Sequence, residues 1–278
     1  MTMTSTLTRN PATRQAPVAV ALLTVTAACW AYLFFLRSEM GDMGAMADMG
    51  AMSGDRSMFA MPMTAAWTVS DAVLMWTMWA VMMAAMMIPS ATPMIRAYNT
   101  TITPNSQGSS QATTGSTPSF VSGYLVAWSA FAAAAAGAQW FLHDASLVDA
   151  MGSSTSRWIA GPVLVVAGVY QFTSLKNACL GKCRTPLGFL LSEWRAGRRG
   201  AFVMGVHHGS LCIGCCWALM ALLFVLGVMN LWWIALVATA VLIEKVSRND
   251  TLPRILGVVL VAWGVVVLTG VIETGVSS

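Results

Sequence analysis

The sequence predicts an all-α fold, a polytopic membrane helix bundle of about seven transmembrane helices. Of the 278 residues, 57% are hydrophobic and only 9% are charged, whereas a soluble domain carries about 25% charged residues. The mean hydropathy is +0.68. The apolar residues are also gathered into runs, most of which reach the roughly 20 residues that a helix needs to cross a bilayer.

Seven apolar segments account for this prediction, at 18–36, 71–95, 120–142, 158–175, 203–228, 231–243 and 255–272. The sixth is short and follows the fifth after Met229 and Asn230, which predicts a tight helical hairpin. The first segment ends in bulky residues without a small-x-small exit site, so we interpret it as an anchor and not as a cleaved signal. The organisation is then a tail (1–17), the anchor (18–36), an outer loop (37–70), a bundle (71–273) and a short tail (274–278).

The basic residues predict the orientation of the bundle, because loops that stay inside are enriched in Lys and Arg. With the N-terminus inside, twelve of the 15 Lys and Arg residues lie in inner loops and eight of the 11 acids lie outside. This predicts an N-in, C-out topology. The net charge of +4 is modest, so we expect no nucleic-acid partner. Residues 99–119 are rich in Ser, Thr, Gly and Pro, which predicts a mobile inner linker.

The outer loop carries a methionine repeat, which we call the outer Met loop. Five methionines recur at intervals of three, at Met40, Met43, Met46, Met49 and Met52, and Met58, Met61 and Met63 follow. Thioethers are soft ligands that favour Cu(I), and the intervening Gly and Ala allow several sulfurs to gather around one ion. The alternatives are a low-complexity spacer or an interfacial helix with a methionine face.

The second segment places further methionines on one helical face, which we call the Met stripe. Its members recur at i, i+3, i+7 and i+11 and are Met75, Met78, Met82 and Met86; Met83 and Met87 broaden it. Methionine is also an adaptable core residue, so packing and a thioether relay remain open here. Pro89 and Pro93 are expected to kink or end this helix.

Five cysteines form two groups near the predicted inner surface. Cys179 and Cys183 share a helical face, and basic residues around them favour thiolate, which suits either metal binding or a thiol redox pair. The second group lies in HHGSLCIGCCW, where helical spacing turns four residues in one direction, namely His208, Cys212, Cys215 and Cys216. His207 adjoins them. A single membrane cysteine usually acts as a small hydrophobic residue. Two groups of cysteines that face each other instead predict a site for a soft metal ion. Copper is favoured over zinc, because zinc prefers a closed tetrahedral site with four ligands.

Three strings resemble one bacterial family of metal-binding integral membrane proteins, which includes a membrane copper-delivery partner of a tyrosinase. They are MWAVMMAAMMIPSATPMI, GVYQFTSLKNACLGKCRTPLGFL and CIGCCWALMALLFVLGVMNLWWIALVATAVLIEK. The resemblance covers about residues 65–272 and implies a multi-helix fold in the bacterial cytoplasmic membrane and copper handling for a cuproenzyme. Ser174 stands where the family pattern leads us to expect proline. Glu244 and Lys245 match the pattern, and we interpret them as an ion pair that seats a helix end.

The sequence therefore predicts a non-enzymatic membrane protein that binds copper as Cu(I) and delivers it to a cuproenzyme. The alternatives are a membrane thiol–disulfide electron carrier, which would be an oxidoreductase, and a non-catalytic subunit of a membrane complex. No nucleotide-binding loop or paired acid–base carboxylates appear in the sequence.

Overall fold

The computed structural model describes residues 11–48, 69–102, 116–145, 157–247 and 249–270. Side chains are described for residues 15–39, 69–101, 116–145, 157–247 and 249–270. The regular elements of these ranges are all helices, namely α1 (Pro11–Asp48), α2 (Val69–Ile102), α3 (Ser116–Asp144), α4 (Arg157–Tyr170), α5 (Ser174–Arg184), α6 (Pro186–Glu193), α7 (Gly197–Ala221), α8 (Leu223–Leu226), α9 (Leu231–Val246) and α10 (Thr251–Thr269). The predicted all-α class is confirmed for these residues.

Five described helices are long and apolar enough to cross a membrane. Their membrane-compatible stretches are Gln15–Glu39, Val69–Thr101, Ser116–Asp144, Gly197–Leu226 and Thr251–Thr269. A sixth candidate is the pair α4 and α5, which is bent by 62° at its break. The sequence predicted seven membrane-spanning helices. The structure gives fewer, because α9 has only 16 residues and because the fourth predicted segment is broken.

The break between α4 and α5 has a local cause. The chain leaves the helix after Tyr170, and Thr173 then caps a new helix by accepting a hydrogen bond from the backbone N–H of Lys176 at 3.3 Å. This is the N-cap role for which threonine is suited. Helix α5 ends before Pro186, which occupies the first turn of α6. The bend turns the two cysteines of α5 toward α7.

Several predicted boundaries differ from the structure, and α1 extends on both sides of the anchor predicted at 18–36. Helix α2 continues through Pro89 and Pro93 to Ile102, so the prolines do not end it. The linker expected at 99–119 is shorter, because α2 and α3 occupy its two ends, and residues 103–115 lie outside the described part. The hydroxyl of Thr117 donates to Asn99 Oδ1 at 3.0 Å and joins these two helix ends.

Glycines bring the backbones of α3 and α7 together. A Cβ on Gly123 would collide with the Phe202 carbonyl, and a Cβ on Gly205 would collide with the Phe120 carbonyl. Small residues at facing positions allow this close approach between helices in membranes. The contact matters for the site, because α7 carries three of the cysteines and α3 carries Tyr124, which reaches one of them.

Candidate metal centre

Helix α7 places three cysteines in the protein interior. Cys212, Cys215 and Cys216 are each no more than 1% exposed. The thiols of Cys215 and Cys216 both donate to the backbone carbonyl of Cys212, at 3.0 Å each. This follows from the i, i+3 and i, i+4 spacing, which stacks the three side chains on one face.

Helix α5 brings the second cysteine pair to the same place. The Cys183 thiol interacts with that of Cys215, which also interacts with Cys212 and Cys216. Cys179 packs on Gly214, where an added Cβ would lie 2.8 Å from the Cys179 sulfur. We call Cys183, Cys212, Cys215 and Cys216 the thiol cluster. Its four sulfur atoms come from two helices, with Cys215 in the middle.

Cys212 has two polar neighbours from other helices. The ammonium of Lys245, on α9, donates to its sulfur at 2.9 Å, and the Tyr124 hydroxyl lies 3.1 Å from the same sulfur. Lys245 also donates to Ser90 Oγ, on α2, at 2.9 Å. Four helices thus meet at Cys212, and one of them supplies a buried positive charge.

A second lysine fixes α5 against α9. Lys176 is fully buried and its ammonium lies 2.7 Å from Glu244 Oε2, a carboxylate that is 1% exposed. Arg184, at the end of α5, donates to the Glu244 carbonyl at 2.8 Å and to Asp250 at 2.6 Å. Glu244 therefore forms its ion pair with Lys176, while its neighbour Lys245 contacts the thiol cluster.

The two histidines have different surroundings. His208 is buried among the rings of Phe120, Tyr124 and Phe189, and its Nδ1 has no hydrogen-bond partner among the described residues. His207 is half-exposed, and its Nδ1 lies 3.5 Å from Glu193 Oε2. The buried Nδ1 of His208 is thus free to act as a ligand, whereas His207 lies beside Glu193 of α6.

The Met stripe lies in the core of the bundle. Each member is buried, at no more than 3% exposure for Met75, Met78, Met82 and Met86. From Met75 to Met86 the stripe extends about 16 Å along α2, at roughly 1.5 Å per residue. Met87 is connected to the cluster, because Ser90 Oγ lies 3.9 Å from its sulfur and also accepts from Lys245.

The outer Met loop falls mostly outside the described part of the chain. Met43 and Met46 belong to the backbone of α1, which continues to Asp48, but their side chains are not described. Met49 lies outside the described residues altogether. Its role in binding copper stays a prediction.

The thiol cluster is not arranged as a site of three or more ligands around one ion in the described part of the chain. Within the described ranges, no three His, Cys, Asp or Glu side chains are arranged to hold one ion, although the thiols touch. The reason lies in their hydrogen bonds, since Cys215 and Cys216 point at a carbonyl and Cys212 is held by Lys245 and Tyr124. For these sulfurs to bind the same ion, the cysteine side chains must rotate about their Cα–Cβ bonds.

Sequence reasoning missed the polar residues that surround the cysteines. Lys245 and Tyr124 contact Cys212 from positions 33 and 88 residues away in the chain, and Ser90 contacts Lys245. The usable signal was the presence of Lys245 in an apolar segment, because a lysine at membrane depth is normally directed into the protein and paired. Its adjacency to Glu244 suggested the wrong partner.

The fold and the cluster together define a helical protein that gathers four thiols between two helices of an apolar bundle. Residues 76–267 match the PpoB2 family, described as copper chaperones. Because the match covers more than half of the chain, the protein belongs to this family. It therefore handles copper, as the resemblance implied, and a chaperone family indicates a non-enzymatic role. No curated protein and no solved structure matches the chain.

Proposed function

We propose that this protein is an integral membrane chaperone that binds Cu(I) at the thiol cluster and delivers it to a cuproenzyme. The observation that carries the proposal is the meeting of four thiols from α5 and α7, of which the three on α7 are buried and Cys183 on α5 is partly buried. Thiolates are soft, charged ligands that suit Cu(I). Each thiol that binds copper releases its proton, and the cluster then holds the ion away from water.

The methionines supply the route to this cluster. The outer Met loop collects Cu(I), and the Met stripe passes the ion along α2 to Met87, next to Ser90 and Lys245. Neutral thioethers bind less tightly than thiolates, so unaided flow runs toward the cysteines. The buried stripe favours a relay inside the bundle over ligands that face lipid, and its burial equally serves packing.

We further propose seven crossings of the bacterial cytoplasmic membrane with the N-terminus inside. Arg37, near the end of the membrane-compatible stretch of α1 (Gln15–Glu39), donates to the Met229 carbonyl, just before α9, at 3.3 Å. Lys245 at the other end of α9 contacts Ser90 of α2, near the end where Arg96 holds Gln15. The two ends of α9 therefore lie at opposite ends of the α1–α2 pair, which supports α9 as a short crossing of about 24 Å.

Copper binding by purified protein tests the proposal. The full chain in detergent is loaded with Cu(I) under reducing conditions, desalted and analysed for copper. We expect the Cys212→Ser/Cys215→Ser/Cys216→Ser variant to lose the bound copper that the wild type retains. The matched control is Cys29→Ser, a cysteine on α1 outside the cluster, which retains it. Equal copper in the triple variant and the wild type contradicts the proposed site.

A thiol–disulfide carrier is the second candidate, because Cys183 of α5 interacts with Cys215 of α7. In this proposal the carrier forms its disulfide between these two cysteines. Mild oxidation of the metal-free protein followed by peptide mapping distinguishes the two functions. A reversible Cys183–Cys215 disulfide in protein that binds no copper favours the carrier.

A further inference from the structure

Lys245 is a buried cation whose contacts are thiol and hydroxyl groups. It is 8% exposed, and its ammonium donates to Cys212 Sγ and Ser90 Oγ, at 2.9 Å each. The neighbouring carboxylate of Glu244 is taken by Lys176. An ammonium removed from water is costly unless it is paired. We therefore expect the negative charge that balances the Lys245 ammonium to come from thiolates of the thiol cluster.

Charge balance limits which ions this arrangement accepts. One Cu(I) bound by two thiolates carries a net charge of −1, and the Lys245 ammonium brings the centre to zero. A divalent ion bound by the same two thiolates is neutral, so that Lys245 leaves the centre at +1. In an apolar interior a net charge is strongly disfavoured. The balance thus favours a monovalent ion with two thiolates.

The geometry agrees with two thiolates instead of three. No three of the described Cys, His, Asp or Glu side chains converge on one point, and Cys215 and Cys216 both turn toward the same carbonyl. Two neutral side chains in the same region can act as ligands without adding charge. They are Met87, whose sulfur lies 3.9 Å from Ser90 Oγ, and His208, whose buried Nδ1 has no described partner.

We propose that Lys245 makes the thiol cluster selective for monovalent soft cations, Cu(I) and its analogue Ag(I), by neutralising a two-thiolate complex. This inference rests on the proposed function. Lys245 acts as a positioning and charge-balancing residue, since it binds Cys212 and not the metal. Removing its charge leaves the monovalent complex at −1 and the divalent complex at zero, which reverses the preference.

The test compares Ag(I) and Zn(II) binding to the reduced full chain in detergent. Lys245→Gln keeps a hydrogen-bond donor and removes the charge, while Lys245→Arg keeps the charge. We expect Lys245→Gln to lower Ag(I) affinity at least about tenfold, as loss of a buried charge partner does, and to hold or raise Zn(II) affinity. Lys245→Arg keeps the wild-type preference. The ratio of the two affinities is insensitive to partial unfolding, which lowers both.

The outcomes separate this inference from the proposed function. Equal losses for the two metals in Lys245→Gln, or no loss for either, overturn the charge-balance inference. If Lys245→Gln does not fold, Lys245→Arg decides, because loss of the Ag(I) preference with the charge retained also overturns the inference. A wild-type protein that binds neither Ag(I) nor Cu(I) contradicts the proposed function itself.

Discussion

The ion pair between Lys176 and Glu244 is expected to hold α5 in place, and Lys176→Met breaks it. Both side chains are at most 1% exposed, and they meet at 2.7 Å. After the substitution Glu244 stays buried, and its Oε1 already lacks a partner among the described residues. Removing one partner of a buried pair costs roughly 3–5 kcal/mol. We expect a loss of that order in the free energy of unfolding.

The double variant Lys176→Met/Glu244→Met tests whether the unpaired Glu244 carboxylate causes the loss of stability. Two unbranched apolar side chains replace the pair without leaving a charge behind, and such replacements are often neutral or stabilising. The double variant is therefore expected to be more stable than Lys176→Met alone. Lys182→Met is the matched control, because Lys182 is an exposed lysine on the same helix and such surface changes stay within about 0.5 kcal/mol.

Reversible unfolding of the reduced full chain in detergent measures these differences. Two results would refute the reasoning. Lys176→Met could be as stable as Lys182→Met, which would mean that the pair contributes nothing. Alternatively, the double variant could be as unstable as Lys176→Met, which would mean that the loss comes from packing and not from the unpaired carboxylate.

Three further predictions concern the packing around the cluster. Gly214→Ala places a Cβ 2.8 Å from the Cys179 sulfur, so we expect it to weaken Cu(I) binding, measured by chelator competition. Gly181→Ala is the control and should leave binding unchanged, because the space beside Gly181 is open. Gly205→Ala should destabilise the α3–α7 contact by about 1–3 kcal/mol in thermal unfolding, unlike Gly137→Ala, and equal stability of the two would contradict the close approach. Replacing all four stripe methionines by leucine should slow copper arrival at the cysteines with little loss of stability, and unchanged loading kinetics would assign the stripe to packing alone.

Most of the helices were predictable, because an apolar run of about 20 residues typically forms a membrane-spanning helix. The sequence located α2, α3, α7 and α10 within several residues and placed a short turn before α9, which follows α8 in the structure. It did not locate the 62° break between α4 and α5. That break depends on Thr173 capping a new helix where the chain becomes more polar. Hydropathy marks the end of the apolar segment but does not show that a second helix begins there at an angle.

The cysteines of the candidate site were predictable from helical spacing, but their environment was not. The i, i+3 and i, i+4 relations place Cys212, Cys215 and Cys216 together without tertiary information. Lys245 and Glu244 are adjacent in sequence, yet successive helical residues point about 100° apart, so they reach different neighbours. Which helix supplies each neighbour depends on packing that local patterns do not encode.

The most direct test of the account is X-ray absorption spectroscopy at the copper edge of the loaded wild-type protein. We expect monovalent copper with sulfur as the dominant ligand, and loss of the cysteine-bound copper in the Cys212→Ser/Cys215→Ser/Cys216→Ser variant. A first shell of nitrogen and oxygen around divalent copper, or a triple variant with the copper content and first shell of the wild type, would contradict this expectation.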